Sequence, residues 1–339
     1  MSKVGGRGIT VARRTVQIIA FFILIYAGYF ITVKHVDSSF MPFIKPPADR
    51  SVKLPNLEPK TGYDQVFDAY APFRTCRYVG SETRLFRACS MHFLTEIPIY
   101  GVPMKDAIPH IFLLLIMAFL LARFMCGWLC PLGAMQDFLS WTRERVGLGR
   151  LRLPRIFLKF FETFRYVWLV FLFIVAVAIV LPFLGLIAFQ RDLNVLTCNT
   201  CPGRLMYPLL TGTPPGLWIF QTPLHAVISI LGVLFIILFF LSFFGKRLWC
   251  RICPTGALLS IFNLGCAIVK EKDALKCTRC GVCERVCPMD NKKVLEEKKK
   301  KIVNSTNCIN CFRCVEKCPE ADALKVKYFG WTWLRSRKR

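Results

Sequence analysis

The sequence lacks a phosphate-binding loop, a dinucleotide-binding glycine pattern and any grouping of a nucleophile with a base. It is also poor in acidic residues, with 21 Asp and Glu against 46 Lys and Arg, and it has only four histidines. These absences argue against a nucleotide-dependent or hydrolytic enzyme. A nucleic-acid role is possible for a net charge of +25, but basic loops beside membrane helices explain much of that charge more simply.

Apolar residues dominate the rest of the chain. They make up 54% of the 339 residues, and 30 of them are phenylalanine. A bilayer has a hydrocarbon core of roughly 30 Å, which about 20 apolar helical residues can cross. Four runs are predicted to do so: Val16–Val33, Ile108–Met125, Tyr166–Phe189 and Ala226–Phe244.

The basic residues predict how these runs are oriented. Residues 126–165 carry seven Lys and Arg and residues 245–339 carry 22, whereas residues 190–224 carry only two. Because positive loops stay in the cytoplasm, both termini and the 126–165 loop are expected there, with 34–107 and 190–224 outside. The first run lacks a small-residue cleavage site, so it is predicted to be an uncleaved anchor. We expect a multi-pass protein of a bacterial or archaeal cytoplasmic membrane.

The seventeen cysteines are grouped, which favours cluster ligation over a disulfide framework. The segments CTRCGVCERVCP (277–288) and CINCFRCVEKCP (308–319) each read C-x2-C-x2-C-x3-C-P. In such pairs the fourth cysteine binds the other [4Fe–4S] cluster. The predicted ligand sets are Cys277, Cys280, Cys283 and Cys318 for cluster 1, and Cys308, Cys311, Cys314 and Cys287 for cluster 2. Two zinc sites are the alternative, but zinc does not call for this repeated spacing.

Basic segments adjoin the two motifs. The lysine cluster of NKKVLEEKKKKIVN (291–304) could dock an acidic redox partner or anionic lipid headgroups, or be only a solvated loop. The tail WTWLRSRKR (331–339) combines tryptophans with basic residues, so we expect it to lie against the inner membrane face.

An internal repeat joins RFMCGWLCPLGAMQDFLS (123–140) to KRLWCRICPTGALLSIFN (246–263). Both copies follow a predicted membrane helix, which suggests two pseudo-symmetric helical hairpins. Each copy offers only two thiolates, so one shared inner cluster is predicted, with the ligands Cys126, Cys130, Cys250 and Cys253. Four unmetallated thiols are the alternative. Gly133 and Gly256 are expected to allow a tight turn, and Arg123 is expected to extend toward the lipid headgroups.

The two C-x2/3-C-P loops, followed by a two-cluster ferredoxin motif, resemble the NapH/MauN-type membrane polyferredoxins. NosR-like and CcoG-like proteins share much of this pattern in their C-terminal parts. The resemblance covers roughly residues 108–325 and implies an integral electron-transfer protein, often coupled to the quinone pool, that serves a membrane or periplasmic partner. The 250–253 loop is one residue shorter than the C-x3-C-P spacing of the family.

Four further cysteines lie in the predicted outer segments. Cys76 and Cys89 precede the second apolar run, and Cys198 and Cys201 precede the fourth. By analogy with the inner pairs, a fourth [4Fe–4S] cluster on the outer side is predicted from these four residues. The alternatives are disulfide chemistry, with a Cys76–Cys89 bridge and a redox-active Cys198/Cys201 pair, or another metal. Cys266 is expected to be a buried free thiol.

Two histidines also stand near the outer starts of predicted membrane helices. His110 and His225 could ligate a haem or line a quinone pocket. Interfacial histidines that only form hydrogen bonds are the alternative.

Together these observations predict an all-α membrane domain of four transmembrane helices in two pseudo-symmetric halves, plus a small α+β two-cluster bacterial ferredoxin domain. The function is predicted to be electron transfer as a subunit of a redox complex, with membrane lipids and an acidic cytoplasmic partner as further contacts and no nucleic acid. A maturation or reductive-activation accessory protein, or a redox sensor-regulator, is the alternative. The predicted divisions are residues 1–33 (anchor), 34–107 (outer segment), 108–269 (membrane domain), 270–326 (ferredoxin domain) and 327–339 (tail).

Overall fold

The structure is a computed structural model that describes most of the predicted membrane and ferredoxin parts. The described residues are 8–30, 67–71, 76, 78–79, 86–99, 103–149, 151, 154–179, 181, 193, 196–212, 222–298 and 301–337. Most of the predicted outer segment, and the predicted end of the third membrane run, lie outside these residues.

Helices form most of the described chain. In chain order they are α1 (Gly8–Phe30), α2 (Ser90–Ile99), α3 (Met104–Leu121), α4 (Phe124–Trp128), α5 (Pro131–Arg145), α6 (Arg155–Ala178), α7 (Leu196–Asn199), α8 (Gly203–Thr211), α9 (Pro223–Phe240), α10 (Trp249–Ile252), α11 (Pro254–Phe262), α12 (Val282–Arg285), α13 (Lys293–Glu296) and α14 (Arg313–Glu316). The strands are β1 (Phe67–Ala71), β2 (Phe86–Cys89), β3 (Ile268–Lys272), β4 (Leu324–Tyr328) and β5 (Trp331–Arg335).

Three of these helices are long and apolar enough to cross a membrane, over Gly8–Ala27, Ile156–Ala178 and Pro223–Phe243. The protein is therefore membrane-associated by the length and composition of its helices. The second predicted run forms a shorter apolar helix, Ala107–Leu121. It ends earlier than the sequence predicts because Ala122 adopts a positive φ of 44°, which breaks the helix just before Arg123.

Short helices pack between the long ones. Helix α2 packs against α6 and against α11, which follows the second inner cysteine pair. Helix α8, which follows Cys201, packs against α1. Segments predicted to lie outside are thus in contact with helices of the membrane domain.

The ferredoxin part is built on an antiparallel sheet of order β3-β4-β5. The register pairs Ile268 with Tyr328 and Lys272 with Leu324, so the ends of the two-motif segment meet on neighbouring strands. The third strand, β5, lies in the segment that the sequence assigns to a separate tail. The sheet therefore extends past residue 326, while Trp331 and Trp333 remain 83% and 54% exposed on it.

The ferredoxin part shares a hydrophobic core with the membrane domain. Trp128 and Ala122 pack in one buried group with Phe312, Val303 and Val326 of the ferredoxin part. The N-terminal helix also reaches this part, because both the backbone N–H and the hydroxyl of Thr10 donate hydrogen bonds to the Glu316 carboxylate.

Candidate iron–sulfur sites

The eight ferredoxin cysteines fall into the two predicted groups. Cys283 and Cys318 both lie close enough to Cys277 and Cys280 for their charges to interact. Cys287 and Cys314 interact in the same way with Cys308 and Cys311. The fourth cysteine of each motif therefore crosses to the other motif, as two-cluster ferredoxins require.

The two ferredoxin groups differ in their exposure. Cys280 of the first group is exposed to solvent, whereas Cys311 of the second is buried. Burial and, to a smaller extent, the neighbouring Cys311 and Cys308 raise the pKa of Cys287 to about 12. A thiol with such a pKa is protonated at neutral pH until a metal displaces its proton.

A buried lysine supplies positive charge to the second group. The ammonium nitrogen of Lys270 lies 2.7 Å from the sulfur of Cys308 and also donates to the side-chain oxygen of Asn310 at 2.6 Å. Burial acts to lower the pKa of Lys270, but the Cys308 thiolate outweighs it and the pKa is raised. This ammonium fits an anionic sulfur ligand better than a neutral thiol.

The inner cysteines also come together. Cys126, Cys250 and Cys253 all lie close enough to Cys130 for their charges to raise its pKa. The two halves of the repeat thus supply one group of four thiols: Cys126, Cys130, Cys250 and Cys253. Burial raises the pKa of Cys126 to about 11, although the nearby Arg123 lowers it.

In each half of the repeat, a helix begins at the second cysteine of the inner pair. Cys130 and Cys253 occupy the N-cap positions of α5 and α11, and proline follows at the first helical position in both. The backbone N–H of Gly256 lies 3.4 Å from the sulfur of Cys253, and that of Gly133 approaches Cys130. Because a helix N-terminus favours negative charge, both positions suit a thiolate ligand.

Among the residues that the structure describes, no three Cys, His, Asp or Glu side chains converge closely enough to hold one metal ion. A [4Fe–4S] cube binds its four cysteines through four different iron atoms, so its thiolates stand further apart than the ligands of a single ion.

Two buried arginines cross between the halves of the inner group. Arg123 donates to the carbonyl oxygen of Cys250 at 3.0 Å, and Arg247 donates to that of Cys126 at 2.7 Å. The prediction that Arg123 extends to the lipid headgroups is wrong, because its side chain is fully buried. The positive φ of Ala122 turns the chain so that this side chain points inward.

A buried carboxylate supports Arg247 from the other side. Asp137 accepts from Arg247 at 2.9 and 2.6 Å, from Arg13 at 3.0 Å and from Gln17 at 2.9 Å. Burial acts to raise the pKa of Asp137, but the charges of Arg247 and Arg13 outweigh it and hold the pKa well below its usual range. Asp137 therefore stays ionised and fixes Arg247 against the cysteine loop.

The inner group lies against the second ferredoxin group. Cys250 and Cys311 belong to one buried cluster with Met289 and Ile309, and Cys126 and Cys287 pack on it. The backbones approach closely here, since a Cβ on Gly127 would overlap the carbonyl of Ile309. The spacing of the motifs along the chain did not predict this contact.

Three of the four outer cysteines contribute to the hydrophobic core of the membrane domain. Cys89 and Cys201 belong to the same buried cluster, and Cys76 packs against it. The hydroxyl of Tyr78 donates to the side-chain oxygen of Asn199 at 3.0 Å, which brings the Cys76 segment beside the helix that carries Cys198. Cys130 and Cys253 of the inner group belong to this cluster as well.

The two histidines predicted to bind a haem or quinone, His110 and His225, make a ring contact and a capping contact. The ring of His110 meets the edge of Phe93 at 5.3 Å between centroids. The backbone N–H of His225 donates to the hydroxyl of Thr222, which caps α9. The described contacts do not join the two rings, so a haem or quinone between them stays a prediction. Cys266 is buried, as expected, and its thiol lies 3.2 Å from the carbonyl oxygen of Ile268.

Sequence reasoning missed several charged side chains at these sites. The Nδ1 atom of His92 lies 3.1 Å from a carboxylate oxygen of Glu96, one turn further along α2, and sequence reasoning did not single out this contact. Arg123 and Arg247 each stand three residues before the first cysteine of their loop, and this shared spacing was the available signal. Asp137 has no acidic counterpart in the second copy of the repeat and could not be found that way.

The comparisons with known families cover the same cysteine motifs. A 4Fe-4S dicluster domain matches residues 269–319, which contain all eight ferredoxin cysteines. A 4Fe-4S binding domain matches twice, over residues 111–154 and 227–269, and each match contains one inner cysteine pair. The chain therefore contains 4Fe-4S binding domains.

Several known proteins are similar to this chain. It is 28% identical to the protein MJ0750 of Methanocaldococcus jannaschii over 65% of this chain and 79% of that protein. It is 29% identical to the ferredoxin-type protein NapH of Escherichia coli over 58% of this chain and 60% of NapH. It is also 29% identical to the methylamine utilization ferredoxin-type protein MauN of Paracoccus denitrificans over 49% of this chain and 48% of MauN. No solved structure matches.

These matches confirm the resemblance to NapH/MauN-type polyferredoxins. They also support an iron–sulfur electron-transfer role, because NapH and MauN are named ferredoxin-type proteins and another similar protein, YccM of Escherichia coli, is named a putative electron transport protein.

Proposed function

We propose that this chain, a relative of NapH/MauN-type polyferredoxins, is an integral-membrane subunit that passes electrons between its cytoplasmic ferredoxin domain and a membrane or periplasmic partner. The observation that carries the proposal is the buried contact between the second ferredoxin group and the inner group, through Cys311 and Cys250. Bound [4Fe–4S] clusters would supply one-electron redox chemistry at each group. The protein residues hold the three cysteine groups in a fixed order.

The proposed order of the three cysteine groups follows from their exposure to solvent. The first ferredoxin group has the exposed Cys280, so it is the port for a soluble partner. Lys276, Arg279 and Arg285 are exposed around it, which suits an acidic electron donor or acceptor. The second ferredoxin group and the inner group are the next two steps, and no cysteine of either group is exposed.

We further propose a fourth cluster, held by Cys76, Cys89, Cys198 and Cys201. The packing of α2 against α11 supports it, because this packing draws an outer segment toward the inner cysteine loops. The shared buried cluster of Cys89, Cys201, Cys130 and Cys253 supports it too. Electrons could then pass between the two faces of the membrane through one chain.

The quinone pool is the proposed membrane partner. A cavity of about 640 Å³ opens between α1, α5 and α9, and its wall combines Phe21, Met135 and Phe239 with the polar Gln17 and Asp137. A quinone has a polar ring on an apolar tail, and this lining matches both parts. Asp137 also contacts Arg247, which lies against the inner cysteine loop, so a ring in this cavity would lie near the inner group.

The same proposal places the protein in the cytoplasmic membrane with both termini in the cytoplasm. Other redox subunits complete the reaction by acting as electron donor and acceptor. Redox subunits co-purified in a stable stoichiometric complex would support this role over that of a maturation factor.

The experiment is an anaerobic preparation with iron and sulfide counts. Four clusters correspond to about sixteen irons per chain. The double variant Cys250→Ser/Cys253→Ser should lose about four irons while the electron paramagnetic resonance (EPR) signals of the ferredoxin clusters persist. An unchanged iron content in this variant would reject the inner cluster and, with it, the path into the membrane.

A further inference from the structure

The two arginines of the inner group are related by the internal repeat. Arg123 stands three residues before Cys126, and Arg247 stands three residues before Cys250. Each donates to the carbonyl of the first cysteine in the opposite loop, at 3.0 and 2.7 Å. The two loops are thus held together by a reciprocal pair of hydrogen bonds, which we call the arginine clasp.

One glycine of the repeat makes room for this clasp. A Cβ on Gly133 would lie 2.9 Å from the Cys126 carbonyl and 3.2 Å from Arg247, and a Cβ on Gly256 would lie 3.4 Å from Arg123. Neither glycine has a positive φ. Gly133 therefore leaves space for the crossing guanidinium of Arg247, whereas a Cβ on Gly256 would meet Arg123 only at about ordinary contact distance.

The two arginines of the clasp differ in whether a carboxylate neutralises their charge. Arg247 is neutralised by Asp137 at 2.6 Å. Arg123 is fully buried, and its guanidinium donates to two carbonyls, those of Cys250 and Thr306. Among the described residues no carboxylate pairs with it within ion-pair distance. Arg165, a second buried arginine, is close enough for its charge to interact with Arg123.

A buried charge is costly unless an opposite charge lies beside it. Cys126 and Cys250 lie close enough to Arg123 for their charges to interact with it, and a cube with four thiolates is anionic in both of its usual redox states. The site therefore has an excess of fixed positive charge where the proposed inner cluster would sit.

We propose that Arg123 is a positioning residue that sets the reduction potential of the inner cluster and ties this cluster to the docked ferredoxin domain. This inference rests on the inner cluster of the proposed function. The added electron makes the cluster more negative, so the nearby positive charge stabilises the reduced state and raises its potential. Through Thr306, the same side chain holds the start of the second ferredoxin motif against the cysteine loop.

The test compares four variants with the wild-type protein in detergent, by iron content and by EPR-monitored redox titration. Arg123→Gln removes the charge and the crossing bond, and Arg123→Lys keeps the charge. The double variant Arg247→Gln/Asp137→Asn removes one clasp bond together with a neutral pair. Arg143→Gln is the matched control, because Arg143 is equally buried on α5 but donates to the carbonyls of Phe243 and Phe244 instead of a cysteine.

Arg123→Gln should lower the potential of the inner cluster, or lose about four irons if the cluster no longer assembles. Arg123→Lys should restore the potential toward that of the wild type. The Arg247→Gln/Asp137→Asn variant should lower the retention of inner-cluster iron with a smaller shift in potential. Arg143→Gln should change neither quantity.

A wild-type potential and full iron content in Arg123→Gln would overturn the inference, and so would an equal loss in Arg143→Gln. A wild-type protein with only the irons of the two ferredoxin clusters would instead reject the proposed inner cluster itself. The two failures are therefore distinguishable.

Discussion

The indole N–H of Trp128 donates a 2.9 Å hydrogen bond to the backbone carbonyl of Asn310. Trp128 lies between the two cysteines of the first inner loop, and Asn310 lies within the second ferredoxin motif. Asn263 adds a second connection, because its side chain donates to the carbonyl of Cys308 at 2.8 Å. The ferredoxin domain is thus docked on the inner cysteine loops and does not hang from a flexible tether.

Gly127→Ala should weaken this docking. The new Cβ would overlap the carbonyl of Ile309, and such overpacking costs about 1–3 kcal/mol. We expect faster limited proteolysis between the membrane and ferredoxin parts, and weaker magnetic coupling between the inner cluster and its ferredoxin neighbour. Gly149→Ala is the control, since a Cβ there meets nothing within 4 Å. Equal proteolysis of both variants would mean that the contact at Gly127 does not hold the domains together.

Asp137→Asn should destabilise the membrane domain strongly. The change leaves Arg247 and Arg13 buried without their shared carboxylate, and breaking a buried pair in this way costs about 3–5 kcal/mol. Glu144→Gln should cost less than about 1 kcal/mol, because Glu144 is 47% exposed in its contact with Lys246. Thermal unfolding in detergent measures both. A similar loss in the two variants would contradict the special role of Asp137.

The lowered pKa of Asp137 predicts how acid affects the stability of the protein. The folded pKa of Asp137 is held well below the unfolded value of about 4, so its contribution to stability is present above that value. The contribution is lost as the pH falls below about 4, and the Asp137→Asn variant should lack this part of the acid sensitivity. If the stability of the wild type and that of the Asp137→Asn variant fall in parallel below that pH, Asp137 is not the source of this acid sensitivity.

Cluster assembly should become easier at higher pH. Burial raises the pKa of Cys287 to about 12 and that of Cys126 to about 11, so both thiols are protonated in the iron-free protein at neutral pH. Iron must displace these protons, and the raised pKa values make that release less favourable as the pH falls. Anaerobic reconstitution of the iron-free protein should therefore yield more cluster at pH 9 than at pH 7, an effect read from the sulfide content. A yield that is flat over this range would argue against proton-linked assembly.

The outer group offers a separate prediction. Cys198→Ser/Cys201→Ser should lose about four irons while the ferredoxin signals persist. Thiol alkylation without reductant tests the disulfide alternative, because paired cysteines would not react. Cys266→Ser is the control, since Cys266 is buried but stands outside the cysteine groups. An unchanged iron content in the double variant would end the idea of an outer cluster.

The parts of these sites that could be predicted from the sequence are local. Short spacings in CTRCGVCERVCP and CINCFRCVEKCP fix which thiols can reach one cube, and the crossing of Cys287 and Cys318 follows from the paired motifs. The grouping of the inner cysteines followed from the repeat, because each copy had only two thiols to offer.

The parts that could not be predicted depend on long-range contacts or on a single dihedral angle. Arg123 at the end of a membrane helix normally faces headgroups, and only the positive φ of Ala122 turns it inward. The pairing of β5, which carries Trp331 and Trp333, with β4 was not predicted, and the contact of this strand with the inner membrane face stays a prediction. The docking through Trp128 and Gly127 involves residues almost two hundred positions from their partners.

The most direct test of electron transfer from the ferredoxin domain into the membrane uses proteoliposomes that contain a quinone. Electrons are delivered to the ferredoxin domain by an external soluble reductant, and the reduction of the membrane quinone is followed optically. Cys250→Ser/Cys253→Ser should keep rapid reduction of both ferredoxin clusters but lose nearly all transfer to the quinone. Transfer at the wild-type rate in this variant would contradict electron transfer through the inner group, because electrons would then bypass it.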